Sequence, residues 1–155
     1  NASHLSVLGP FEMIGEDEWD KVMQINLKSQ FLLTQALLPL LKSTPHSSII
    51  YTSSGVGKQG RAYWGTYAIS KFATEGMMQV LADELSNTQV RVNCINPGAT
   101  RTEMRGRAYP AEDASTLRTP AEIMPLYLYL MGADSQQVNG QSLDAQPDKV
   151  RPASS

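Results

Sequence analysis

Ser48-Ile49-Ile50-Tyr51-Thr52-Ser53-Ser54 is the stretch from which the fold can be read. The β-branched and aromatic residues from Ser48 to Ser53 suit a buried strand; Pro45 stands upstream, and Gly55, Gly57 and Gly60 make the following loop glycine-rich. From Thr66 to Leu85, Ile69, Phe72, Ala73, Met77, Val80, Leu81 and Leu85 recur at three and four residues, which predicts a long helix with one apolar face. Gln89 to Ile95, with Val90, Val92 and Ile95 at its centre, reads as a second strand that stops at Asn96-Pro97-Gly98.

Outward from this unit the pattern repeats. Gly15 as N-cap, Glu18 at the third helical position and apolar residues from Trp19 to Leu38 predict a helix over 16–42, its last turn kinked or loosened where Pro39 removes a backbone donor. Residues 99–118 carry mixed charge with little periodicity and read as a mobile loop holding at most a short helix. Thr119-Pro120-Ala121-Glu122 combines a cap, a first-turn proline and an acid at the third position, starting a helix that runs to about Met131. Gly140 to Ala145 offers a last short strand, and 146–155 reads as a flexible C-terminal tail. Helices alternating with strands give an α/β fold, a parallel sheet with helices on both faces.

Composition narrows the function classes. The 155 residues suit a single domain, and 41% hydrophobic with 18% charged residues is a globular balance. A net charge of -2 leaves no basic surplus to attract nucleic acid. The longest apolar runs are broken by Thr34, Gln35 and Pro39, well short of the ~20 residues that cross a bilayer. The single cysteine, Cys94, forms no internal disulfide, and a reducing cytoplasm is the expected compartment. His4 and His46 lie far apart and Cys94 sits in an apolar strand, so no metal site is expected.

Tyr67 and Lys71 stand four apart on the second predicted helix and therefore share a face. An ammonium ~4 Å from a phenol at an effective dielectric of ~20 is worth about 4 kcal/mol, roughly three pKa units, which would bring the phenol near neutrality and make it an acid/base. Taken alone, the pair reads better as an ordinary solvated contact. Ser54, however, lies at the carboxyl end of the first predicted strand, where ligands bind in parallel α/β sheets. Asn26, inside the first helix, needs hydrogen-bonding partners there or acts as a plain helix residue. Pro97-Gly98, with Thr100 and Thr102 after it, forms a turn at the same sheet edge.

In this order and at these separations, Asn26, Ser54, Tyr67-Ala68-Ile69-Ser70-Lys71 and Asn96-Pro97-Gly98 resemble the catalytic tetrad and following turn of the classical short-chain dehydrogenase/reductase family, and Asn1-Ala2-Ser3 resembles the end of its Asn-Asn-Ala-Gly motif. Met124 to Tyr127 and Asp144 to Pro147 resemble a branch of that family found in enteric bacteria.

The resemblance implies a doubly wound, Rossmann-like domain of which 1–145 is the C-terminal part. The first strands and the glycine-rich nucleotide-binding turn would lie before Asn1. It implies an oxidoreductase interconverting an alcohol and a carbonyl by hydride transfer with NADP or NAD. Tyr67 would be the acid/base, and Lys71 would lower its pKa and bind the nicotinamide ribose. Ser54 would orient the substrate, and Asn26 would hold a water in a relay reaching Lys71. Asn1, Ala2, Pro97, Gly98, Thr100 and Thr102 would border the cofactor, and 103–118 would cover a small-molecule substrate. A homodimer or homotetramer through helices 16–42 and 66–86 is expected, with Leu32, Phe72, Met77 and Met78 as docking positions. Ser3 and Ala145 stand where that family has glycine. Two alternatives remain open: a non-catalytic interaction fragment of such an enzyme, and an epimerase or dehydratase using the same tyrosine and lysine.

Overall fold

A computed structural model describes residues 3–149. Three parallel strands, β1 (Ser48–Thr52), β2 (Arg91–Asn96) and β3 (Ser142–Asp144), lie side by side in that order. Ser48 is paired with Arg91 and Thr52 with Ile95, and Cys94 with Ser142, so all three strands run toward the same edge. Five α-helices are described: α1 (Glu16–Met23), α2 (Ser29–Ser43), α3 (Gly65–Glu84), α4 (Glu103–Ala108) and α5 (Pro120–Met131).

Parallel strands need crossovers, and the helices that make them cover both faces of the sheet. On one face Tyr51, Val92 and Cys94 pack with Met78 and Ala82 of α3 and Leu85 just past its end, and Leu38 and Leu41 of α2 close over them. The Tyr51 phenol is satisfied there by the Thr34 hydroxyl at 2.7 Å. On the other face α5 is fixed by Ser48 Oγ donating to Leu130 O at 2.8 Å and by a 3.2 Å contact between Thr52 Oγ1 and the Tyr127 hydroxyl. The capping box expected at Thr119 and Glu122 is formed.

The expected helix over 16–42 differs in one respect. It begins after Gly15 and continues past Pro39, but residues Gln24–Lys28 between α1 and α2 are wound as a π segment. The extra residue per turn shifts the ladder, and Ser29 Oγ donates to Ile25 O at 2.6 Å. Asn26 lies at the centre of this segment.

Two expectations are corrected. Met78 is 1% exposed and belongs to the core, because α3 turns it onto the sheet, whereas Phe72 is 44% exposed. The tail does not begin at 146: Gln146 is buried, and Pro147–Lys149 continue as a 3-10 turn. Truncation of Met78 to Ala is expected to cost about 3 kcal/mol in urea denaturation, against about 0.5 kcal/mol for Phe72→Ala. Equal costs would contradict this packing.

Candidate active site

All three strands end at one edge, and Ser54, Lys71 and the Pro97-Gly98 turn lie at that edge. Ser53 N still donates to Ile95 O at 2.8 Å, one residue beyond β1, and Ser54 follows in extended conformation before the glycine loop. Gly57 allows that loop to lie directly on α3, since a Cβ there would stand 2.9 Å from Lys71 Cβ and 3.0 Å from Lys71 O. This close approach brings Ser54 to Tyr67.

Tyr67 is 7% exposed, and burial raises its pKa above the usual tyrosine value. The Ser54 and Ser3 hydroxyls lie beside the phenol and pull its pKa partly back, and Ser3 Oγ is buried without a hydrogen-bond partner. The cation expected to dominate this pKa does not. Lys71 Nζ lies over the Tyr67 ring, 5.6 Å from its centroid, and donates to Thr52 O at 2.9 Å. Spacing on a helix fixes a shared face, but the rotamer decides which atom the amine meets.

Lys71 itself is the more perturbed group. It is 2% exposed, and desolvation lowers its pKa from 10.5 to about 8. An ammonium carries three donors. The Thr52 carbonyl takes one, leaving capacity to meet a polar ligand at the strand ends.

Asn26 is fully buried and its side chain is spent on structure. Its Oδ1 accepts from His4 N at 2.7 Å, and its Nδ2 donates to His4 O at 2.9 Å and to Ser70 Oγ at 3.1 Å. It thereby pairs with the extended segment around His4 as a neighbouring strand would, and ties that segment to α3 one residue before Lys71.

The turn after β2 is held from both sides. Gly98 has φ of +71°, a conformation that favours glycine, and its N–H donates to Asn96 Oδ1 at 3.1 Å. Asn96 Nδ2 in turn donates to Asp144 Oδ1 at 2.7 Å. Thr100 is buried, its hydroxyl 3.3 Å from both Pro97 O and Gly98 O. The Thr102 hydroxyl caps α4 by accepting from Arg105 N at 3.2 Å. Asn1 and Ala2 lie outside the described residues.

The segment 103–118 is braced rather than loose. Arg105 is paired with Glu112 at 2.6 Å and stacks 3.8 Å from the Tyr109 ring centroid, while Arg61 Nη1 donates to the Tyr109 hydroxyl at 2.6 Å. Tyr109 packs against Trp64 as a tilted ring pair with centroids 6.0 Å apart, and Trp64 against Tyr67 in the same way at 5.9 Å. Trp64 and Arg61 were not among the expected site residues; the available signal was an aromatic one helical turn before Tyr67.

Comparison with known proteins gives the family. The family model described as short chain dehydrogenase matches residues 1–113. An oxidoreductase of Escherichia coli K12, named YciK and described as uncharacterized, is 57% identical over 149 residues, covering 96% of this chain and 59% of that protein. A short chain dehydrogenase from Salmonella enterica serovar Typhi superposes with a TM-score of 0.93 at 59% identity, covering 95% of this chain and 60% of that one. A Shigella flexneri 2a chain solved in complex with NADP gives a TM-score of 0.92 at 58% identity, covering 95% and 61%. The chain thus spans about three fifths of the length of the relatives it matches.

A lysine whose folded pKa lies below its unfolded value costs stability while it is charged, and that cost is relieved as pH rises from about 8 to 10.5. The unfolding free energy of the wild type is therefore expected to gain roughly 3 kcal/mol relative to Lys71→Met across that window, read from urea denaturation at successive pH values. Parallel curves would show that Lys71 is not desolvated.

Proposed function

Because the chain belongs to the short-chain dehydrogenase family, we propose that it carries the acid/base half of an NADP-dependent oxidoreductase that interconverts an alcohol and a carbonyl on a small molecule. The observation that carries this reading is the convergence of the Tyr67 phenol, the Ser54 hydroxyl and the buried Lys71 amine at one end of a parallel sheet. Ligands bind at that end of such sheets.

The residues present fit a dinucleotide's nicotinamide end. Lys71 retains donor capacity for ribose hydroxyls, and the Pro97-Gly98 turn presents backbone where only glycine adopts the required conformation without strain. Thr100 and Thr102 border that turn, and Asn1 and Ala2 are assigned to the cofactor side by sequence resemblance alone. When bound, the nicotinamide supplies or accepts the hydride.

The chain's own groups handle the proton. In the reducing direction Tyr67 gives its phenolic proton to the carbonyl oxygen, and its raised pKa keeps that proton in place until the oxygen becomes basic. Ser54 donates to the same oxygen and orients it. Lys71, beside the ring, stabilises the phenolate left behind. Asn26 keeps α3 in register through its side-chain bonds to His4 and Ser70, and the relay water is assigned to it by sequence resemblance alone.

A second copy of the chain is the natural occupant of the outer face of α2 and α3, where Leu32, Leu33, Phe72 and Val80 are exposed. None of the helices described is long and apolar enough to cross a membrane. With Cys94 free and buried, a cytoplasmic setting suits the protein.

The test uses the whole oxidoreductase with NADPH and a panel of ketones. Tyr67→Phe is expected to lower kcat by about a hundredfold or more while NADPH affinity stays within about twofold. Carbonyl reduction at the wild-type rate would remove Tyr67 from this role. Sedimentation is expected to give a dimer or tetramer that Phe72→Asp shifts toward monomer; a monomeric wild type would contradict the docking face.

A further inference from the structure

Gln146 follows β3 by two residues and is 2% exposed. Its Nε2 donates to Pro97 O at 2.9 Å and Ala99 O at 3.0 Å, and lies 3.5 Å from Thr100 Oγ1. The same amide lies against Gly98, where a Cβ would stand 3.2 Å from Gln146 Nε2 and 3.3 Å from its Cβ and Cδ. Its Oε1 is buried and has no hydrogen-bond partner.

An apolar side chain of similar length would fill this space without stranding an oxygen, so packing alone does not account for a primary amide here. What the amide does is complete the turn's hydrogen bonding. Asn96 takes the Gly98 N–H, and Gln146 takes the carbonyls on either side of Gly98. Asp144 fixes Asn96 from β3, so the last strand and the residue just beyond it hold both the donor and the acceptors of the Pro97–Thr100 turn.

We infer that Gln146 is a positioning residue for the cofactor: its amide locks the Pro97–Thr100 turn in the conformation that receives the nicotinamide half of the dinucleotide. The inference rests on the dinucleotide site proposed above. It singles out a residue that the sequence places in a tail. A loosened turn must be reordered whenever the nicotinamide binds, and affinity falls by the cost of that ordering.

The decisive variant is Gln146→Met in the whole oxidoreductase, which keeps the volume and removes the amide; Gln146→Ala is the second. Calorimetry would measure NADPH and, separately, the adenosine-bisphosphate half of NADP, which carries no nicotinamide. Both variants are expected to bind NADPH about tenfold more weakly and the adenosine half within about twofold of wild type. A Gln146→Met protein that binds NADPH like wild type would overturn the inference, since filling the space would then suffice. Equal weakening of both ligands would overturn it as well, because that is the mark of general destabilisation. A wild type that binds neither ligand overturns the dinucleotide reading itself and the inference with it.

Discussion

A lysine amine enclosed where β1 meets α3 is the constraint on which the rest of the site depends. An amine 2% exposed, with one carbonyl acceptor and an aromatic ring for company, is uncomfortable as an ammonium. Its pKa near 8 expresses that discomfort. Such a position persists only if the surrounding elements are fixed independently of it. They are: Gly57 brings the glycine loop onto the backbone of α3, the β1–β2 ladder holds the Thr52 carbonyl, and Asn26 binds Ser70 one residue away.

The same economy of parts runs through the neighbouring turn. Three strands ending at one edge deliver Ser54, the Pro97-Gly98 turn and Asp144 to one place, and short polar bonds tie the turn through Asn96 to Asp144. The tilted aromatic contacts from Tyr67 through Trp64 to Tyr109 then link the proposed acid/base to the segment over 103–118, whose middle is braced by the Arg105–Glu112 pair and by Arg61 on Tyr109. The strands thus set the polar groups, while the segment over 103–118 reaches them through aromatic contacts.

Much of this was legible in the sequence. The β-branched run at 48–53 specifies a strand and the cap at Thr119 marks a helix start chemically; the helix over 66–85 forms as expected, but the face it buries carries Thr66, Tyr67, Ser70, Lys71, Thr74 and Met78, while Phe72 and Val80 of the expected apolar face are exposed. The grouping of Ser54, Tyr67 and Lys71 followed from parallel topology, which sends strand ends to one edge. The π segment at Gln24–Lys28 was not legible, since five residues are too few to separate its period from that of an α-helix. Nor was the position of the Lys71 amine over the ring, which depends on a rotamer and on Thr52 O. Gln146 was hidden for another reason: a polar residue after a last strand looks solvated, and only tertiary structure supplies the carbonyls it meets.

The most direct measurement is the titration of the Lys71 side chain followed by nitrogen NMR of its Nζ in the folded protein, with Lys71→Met assigning the signal. A midpoint near 8 is the result expected for an amine held out of water beside Tyr67. A midpoint at the ordinary lysine value of 10.5 would mean that the amine is solvated, and the buried proton-handling site would be contradicted.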